Sequence, residues 1–411
     1  MIHQRSSLCF LIVTTIALLF IQTSHVQGSG SIFSGLGYGV IENFGSSRAV
    51  ALGNAALALP DSLRLNFLNP AHLAQIRQTR ISVGGYLSRQ WMKDNQASDV
   101  DDWSQMEFFG IAISLKKGLA LGMLVAPYSR MDYLYGWDGV SSNGIPYHQS
   151  YKGSGGLSRI AVNLAWSPKP VVQIGVALSA IWGEVEELRG SYFSTSGYQD
   201  IEFIKSRQWR TFAGTLGLAV EPYKTVCLAA IFEPKIPINL NQEFTYTGTD
   251  STVQSEDEFH IAARYGFGMS YRFHPHWLTA FQVLYGDWEK LSELPGVATD
   301  YQNSYEVSWG AEWSPGKPNS DSFLRRLSYR WGARWATSYT LSQGSSIDSY
   351  FATGGIGIPF HNGKEQLDLS LEYGLRGDLA ANGGEEAILK FRLGLNLGED
   401  WFVRTKPSWE E

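Results

Sequence analysis

The chain is poor in cysteine, in basic charge and in long apolar runs, and each shortage narrows what it can be. Of its 411 residues two are cysteines. Cys9 stands at the start of an N-terminal apolar stretch rather than after it, which excludes a lipoprotein lipobox. Cys227 is then the one cysteine of an exported chain, so no intramolecular disulfide can form and a small disulfide-stapled secreted domain is excluded. The net charge of −6, with no basic run, removes nucleic-acid binding. Past the leader no segment approaches the roughly twenty apolar residues of a spanning helix, so any membrane role must rest on strands.

What is there begins with an export signal. Arg5 precedes an apolar core over residues 8–21, and Val26-Gln27-Gly28 puts compact residues before a cleavage point near Gly28. Residues 1–28 are therefore read as a signal peptide. The rest is rich in glycine (43) and in aromatics (14 Trp, 20 Tyr, 21 Phe).

From about residue 79 a two-residue period takes over. In 367–376 every odd position is apolar and every even one polar or glycine, and 389–397 repeats the pattern. Successive strand side chains face opposite ways, so one face is apolar and the other charged. About fourteen such runs are expected, near 80–89, 105–115, 118–129, 150–166, 171–186, 206–221, 224–238, 258–273, 276–288, 303–313, 326–339, 350–359, 364–376 and 386–398. Short turns such as His274-Pro275-His276 alternate with longer polar stretches near 90–104, 130–149, 187–205 and 239–257. Short periplasmic turns against long outer loops, and an even strand count, mark a bacterial outer-membrane barrel. Tryptophans 166, 182, 277, 288, 309, 313, 331 and 335 fall in or at the ends of strands, as an interfacial girdle requires. The predicted fold is all-β: a 14-stranded antiparallel transmembrane β-barrel over 79–398, with a small N-terminal plug over 29–78 inside its lumen and a periplasmic tail over 399–411.

If the apolar face meets lipid, the lumen receives Arg264, Glu306, Arg330, Arg334, Asp368, Glu372, Arg376, Lys390 and Arg392, with His260, Arg272 and Glu312. Both signs are present, so these groups are expected to pair with one another and with the plug rather than to select ions. Earlier strands turn small residues inward, including Ala112, Gly122, Ala161 and Gly175, which leaves room for a filling segment. Pro127, Pro234 and Pro237 each remove a ladder donor and mark a bulge, a bend or a strand end.

No catalytic constellation emerges. His260 has no assigned serine partner, His274-Pro275-His276 is a turn before it is a metal site, and Asp99, Asp101 and Asp102 read as a solvated acidic loop. Neither a cofactor nor a metal is expected, and the chain is read as a non-enzyme.

Residues 48–58 (RAVALGNAALA) followed by 66–71 (NFLNPA) resemble the N-terminal plug of FadL-like outer-membrane proteins. That superfamily includes the long-chain fatty acid transporter and the PorV-type barrels of type IX secretion. Asn69-Pro70-Ala71 matches its Asn-Pro-Ala turn, and 393–402 is similar to the closing strand and tail of the PorV-type branch. The resemblance implies that the plug occludes the lumen and that ligand leaves sideways at a kinked third strand, which maps onto Ala126 and Pro127. It implies passive uptake of fatty-acid-like hydrophobic molecules, or alternatively a barrel that anchors or shuttles secreted protein. The expected partners are outer-membrane lipid, a hydrophobic ligand, the barrel-assembly machinery during insertion and, under the second reading, a secretion partner protein.

Overall fold

A computed structural model describes residues 30–42, 45–195, 197–246, 252–289, 301–317 and 322–399, without the side chains of 252–259 and 362. The predicted signal peptide and all but the first residue of the predicted tail lie outside these residues. The architecture is a closed barrel of fourteen antiparallel strands. They are β1 (Thr79–Asp94), β2 (Ser98–Lys116), β3 (Leu119–Val140), β4 (Pro146–Lys169), β5 (Val172–Phe193) and β6 (Ile201–Tyr223). Then come β7 (Val226–Glu233 and Ile236–Tyr246), β8 (Thr252–Ile261 and Arg264–His274), β9 (Trp277–Gly286) and β10 (Ser304–Trp313). The last are β11 (Ser328–Ser342), β12 (Ser345–Phe360), β13 (Glu365–Arg376) and β14 (Gly384–Glu399). The barrel closes where β14 pairs with β1, from Gly384↔Asp94 to Glu399↔Thr79.

Closure follows from the solvent. A bilayer offers the backbone no hydrogen-bond partners, and a closed ladder is the only sheet with no edge. Strands β9 and β10 have ten residues each, the length of one tilted crossing. By contrast β3 to β6 run to 22–24 residues and climb well beyond it. This revises the loop reading: 90–104, 130–149 and 187–205 are mostly strand, and so are the described residues of 239–257. Above the membrane both faces of a hairpin are wet, so the apolar alternation disappears while the ladder continues. The girdle reading is also revised at one point. Trp277 stacks on Trp313 at the turn end of the wall, but Trp288 is buried inside the barrel.

Residues 45–78 pack within the barrel. Helix α1 (Ser47–Ala51) is a single turn whose N-cap, Ser46, accepts the Ala49 amide. A 3-10 turn (Pro70–Gln75) follows, capped by Asn69, whose side chain accepts the Ala71 amide at 3.1 Å. Proline at the first position has no amide to leave unpaired there. The segment docks where glycines face each other across the ladder. Gly175 and Gly217 are cross-strand partners, and a Cβ on either would lie 2.3 Å from the Ala71 nitrogen or the Asn69 Oδ1. Gly310 and Gly332 form a second such pair, at 2.4 Å from the Leu52 oxygen and 2.3 Å from the Gly53 nitrogen. Only glycine lets the two backbones come this close.

These notches generate the first prediction. A Gly175→Leu substitution should push the 3-10 turn off the wall at a cost of about 1–3 kcal/mol, the usual penalty of overpacking. The barrel should survive, as judged by heat-modifiable migration, while planar-bilayer conductance rises and trypsin gains access to the buried Arg48 and the mostly buried Arg64. A variant as closed and as resistant as the parent would refute the docking role.

Candidate functional site

Three features meet in the lumen: a charged layer, a cavity above it, and two places where the wall ladder is interrupted.

The charged layer ties the inner segment to the wall. Arg48 of α1 donates from Nε to Glu312 at 2.8 Å and from Nη1 to Asp61 at 2.9 Å. Arg330 on β11 reaches Glu312 at 2.7 Å and Asp368 at 2.6 Å. Arg64 pairs with Asp61 at 2.5 Å and with Asp368 at 3.3 Å. Six alternating charges therefore close on themselves with almost no solvent contact, three from the inner segment and three from the wall. Burial alone would raise the Asp61 carboxyl, but the guanidiniums of Arg64 and Arg48 hold it below the usual carboxylate range. Stranding any one of these charges is expensive.

A second chain runs around the wall. Arg334 lies 3.6 Å from Glu306 and 3.5 Å from Glu372, and Arg392 bridges Glu372 at 3.5 Å and Glu107 at 3.1 Å. Arg376 pairs with Glu386 at 3.3 Å, and Glu386 also accepts the Ile32 amide and the Ser31 hydroxyl at 2.7 Å. Lys390 faces the same side as its cross-strand neighbour Glu372 and sits over the Tyr86 ring at 4.9 Å. Arg264 stands apart from these groups, 2.8 Å from Glu233. Arg272, expected inside, is solvent-exposed at the turn end of β8.

Above the charges is a cavity of about 180 Å³. Its apolar lining includes Tyr128, Ile261, Leu284, Trp288, Tyr339 and Phe351, and its polar lining includes Arg159, Glu233, Arg264 and Glu306. The aromatic roof is built on Tyr38. Its ring lies 4.9 Å from Trp209 and 6.0 Å from Trp288, and Trp288 lies 4.4 Å from Tyr339. The Tyr38 hydroxyl donates to the His260 carbonyl at 2.9 Å, while its amide donates to the Tyr339 hydroxyl at 2.7 Å.

The first wall interruption is at Pro127. The β2–β3 ladder stops at Phe109↔Val125, and β3 and β4 shift register between Pro127 and Ser129. Beyond that point the N-terminal segment takes the free edge of β3, pairing Val40 with Arg130 and Ile41 with Ser129. Ala126 is buried among small and apolar lumen residues, and Tyr128, the bulged residue, lines the cavity. The Asn69-Pro70-Ala71 turn does not line it. Asn69 is fully buried, donating to the carbonyls of Leu57 and Leu218 at 3.2 Å, and serves as an anchor.

Several of these residues had no signal in the sequence. Arg48 and Arg64 stand in a segment without strand periodicity, so nothing there marks an inward face. Trp209, Tyr38 and Tyr339 look like other aromatics until the fold converges them. Glu233 alone had a pointer, its neighbour Pro234.

With this geometry in hand, comparisons identify the architecture. A family model described as BamG matches residues 7–407. The Ralstonia pickettii toluene transporter TbuX is similar in structure at a TM-score of 0.58 and 13% identity, over 86% of this chain and 98% of that one. A Pseudomonas aeruginosa FadL homologue gives 0.58 and 11%, over 87% and 99%. The Pseudomonas putida toluene transporter TodX gives 0.57 and 12%, over 87% and 98%. At such identities the likeness is one of fold. No curated protein matches in sequence.

The charged layer yields the second prediction. Glu312→Gln leaves Arg48 and Arg330 facing a neutral amide and should cost about 3–5 kcal/mol, the price of breaking a buried pair. Adding Arg48→Met should recover part of that loss, because less charge is left stranded. Urea unfolding in lipid bilayers measures both, and strictly additive losses would show that the ring is not coupled.

Proposed function

The chain belongs to the BamG family and is an outer-membrane barrel of the FadL type, and on that premise we propose that it carries small hydrophobic compounds inward by binding them in the lumen cavity and releasing them sideways through its wall. The observation that carries this reading is the cavity. An engineered apolar cavity of about 150 Å³ holds benzene, so a space of about 180 Å³ suits one aromatic ring or a short acyl chain. A long-chain fatty acid would need the charged layer beneath to part. The polar wall groups restrict the ligand further: a ring with one polar substituent can stack on Trp288 or Tyr339 while Arg264 or Glu233 meets the substituent.

The inner segment occludes the route straight down. Six interlocked charges and two glycine notches hold it, so passage to the periplasm along the axis would require breaking buried ion pairs. The interrupted ladder beside Pro127 supports a lateral exit instead. The two-residue strand Val40–Ile41, the Glu42 amide on the Tyr128 carbonyl and the Arg159 guanidinium over the Tyr128 ring separate the cavity from that part of the wall. The structures it resembles include toluene transporters, which agrees with a ligand of this size.

A second reading has one observation in its favour, the family's own name. BamG points to the barrel-assembly machinery, so the barrel also stands as a candidate partner of that machinery or of exported protein. In that case the long strands β3 to β6, which rise above the membrane, would present the contact surface.

Uptake of radiolabelled toluene by cells with and without the protein separates the readings. We expect a clear loss on deletion, and Ala262→Trp, which fills the cavity, should reproduce it while leaving the folded barrel intact. Equal uptake in all three strains, with co-purification of assembly or secreted proteins, would decide for the second reading.

A further inference from the structure

We infer that the barrel has a second lateral portal, between β6 and β7, through which a small apolar molecule passes between the lumen cavity and the outer leaflet. This rests on the uptake reading above and adds a route and a residue set to it.

The ladder between these strands is interrupted. It runs down to Arg210↔Asn239 and resumes at Leu216↔Phe232, so residues 211–215 have no ladder partner on β7. At the same level β7 breaks at Pro234-Lys235 and β8 at Ala262-Ala263. The flanking pairs Glu233↔Arg264 and Ile236↔Ile261 bracket both breaks in one register. Proline accounts for the first break, since it has no ladder donor.

Depth makes the gap informative. Phe212 is 82% exposed and Leu216 53% on the apolar outer face, with Arg210 just above them, so the gap opens at the level of the outer leaflet. Non-helical, unladdered backbone is not tolerated against lipid; it persists where it lines a cavity or is covered. Here two hydroxyls stitch the strands in place of the ladder. The Thr215 hydroxyl donates to Glu233 at 2.8 Å, and that of Thr211 donates to the Pro237 carbonyl.

Space lies on both sides. Inside, Glu233, Ile261 and Ala262 line the lumen cavity. Outside, an open, shallow notch is lined by Ile181, Trp182, Phe212 and Pro237, with Arg210 and Asn239. Ile181 is 1% exposed and borders the notch while packing into the aromatic roof, against which Ala213 and Ile236 also rest. The barrier is therefore a few apolar side chains and the two hydroxyl bonds, with no ladder behind them. Rotamer changes and a slight parting of the strands would open it. The interruption beside Pro127 differs, because the N-terminal segment stitches it with backbone pairs.

The test is a covalent tie. In a Cys227→Ala background, Thr211→Cys and Pro237→Cys are joined across the gap, and Val220→Cys with Leu228→Cys, an intact ladder pair of the same strands, serves as control. Toluene uptake is read in cells, and toluene binding in the purified full-length barrel by tryptophan fluorescence. The expected result is a roughly tenfold fall in uptake with the tie, restored by reductant, with binding kept and the control unchanged, because the tie removes the opening of the unladdered wall. Ile181→Ala, which thins the barrier, should raise uptake. Unchanged uptake in both the tied protein and Ile181→Ala, with binding intact, overturns the portal and leaves lumen uptake standing. Absence of toluene binding and uptake in the parent protein overturns both.

Discussion

A chain that crosses a bilayer as strands must satisfy every backbone donor and acceptor from within itself, and most of what is distinctive here is a response to that demand. The wall closes through β14 and β1, and sixteen-residue contact between them leaves no edge. Against so strict a rule, the interruptions stand out. One lies beside Pro127, where the N-terminal segment supplies the missing partner; the other lies between β6 and β7, where side-chain hydroxyls do so in part. Both adjoin the same cavity, so the wall ladder is least complete beside that space.

The lumen answers a different constraint. Charges confined away from water must find partners, and a barrel with a mixed lining can neither stay empty nor fill with apolar side chains alone. The inner segment resolves this by bringing Arg48, Asp61 and Arg64 to meet Glu312, Arg330 and Asp368. The same segment lays its backbone into two glycine notches, one beside those charges on β10 and β11 and one on β5 and β6. Electrostatic pairing and close backbone approach thus hold one element from two sides, and the cavity is what remains above it.

Much of this was legible beforehand. The strict alternation in β11, β13 and β14 revealed inward and outward faces, so Arg330, Arg334, Asp368, Glu372 and Arg392 could be assigned to the lumen from period alone. It failed where a second influence overrode the period. Arg272 keeps the alternation yet lies beyond the wall's buried zone, and Trp288 sits past the end of β9, where no strand pattern governs direction. The upper reaches of β3 to β6 were read as loops, because polarity on both faces hides a ladder from any pattern based on burial.

The pairing partners were beyond such reasoning. Nothing in the residues around Arg48 or Asp61 says which wall charge each will meet, and Glu233 joins Arg264 only because β7 and β8 are adjacent in register. By itself the sequence determined the class of fold, the strand faces and the presence of a compact segment rich in small residues, since these depend on local periodicity and composition. Only the tertiary structure decided the charged ring, the aromatic roof, the cavity and the breaks in the wall. Those depend on distances between strands far apart in the chain, and such distances exist only once the barrel has closed.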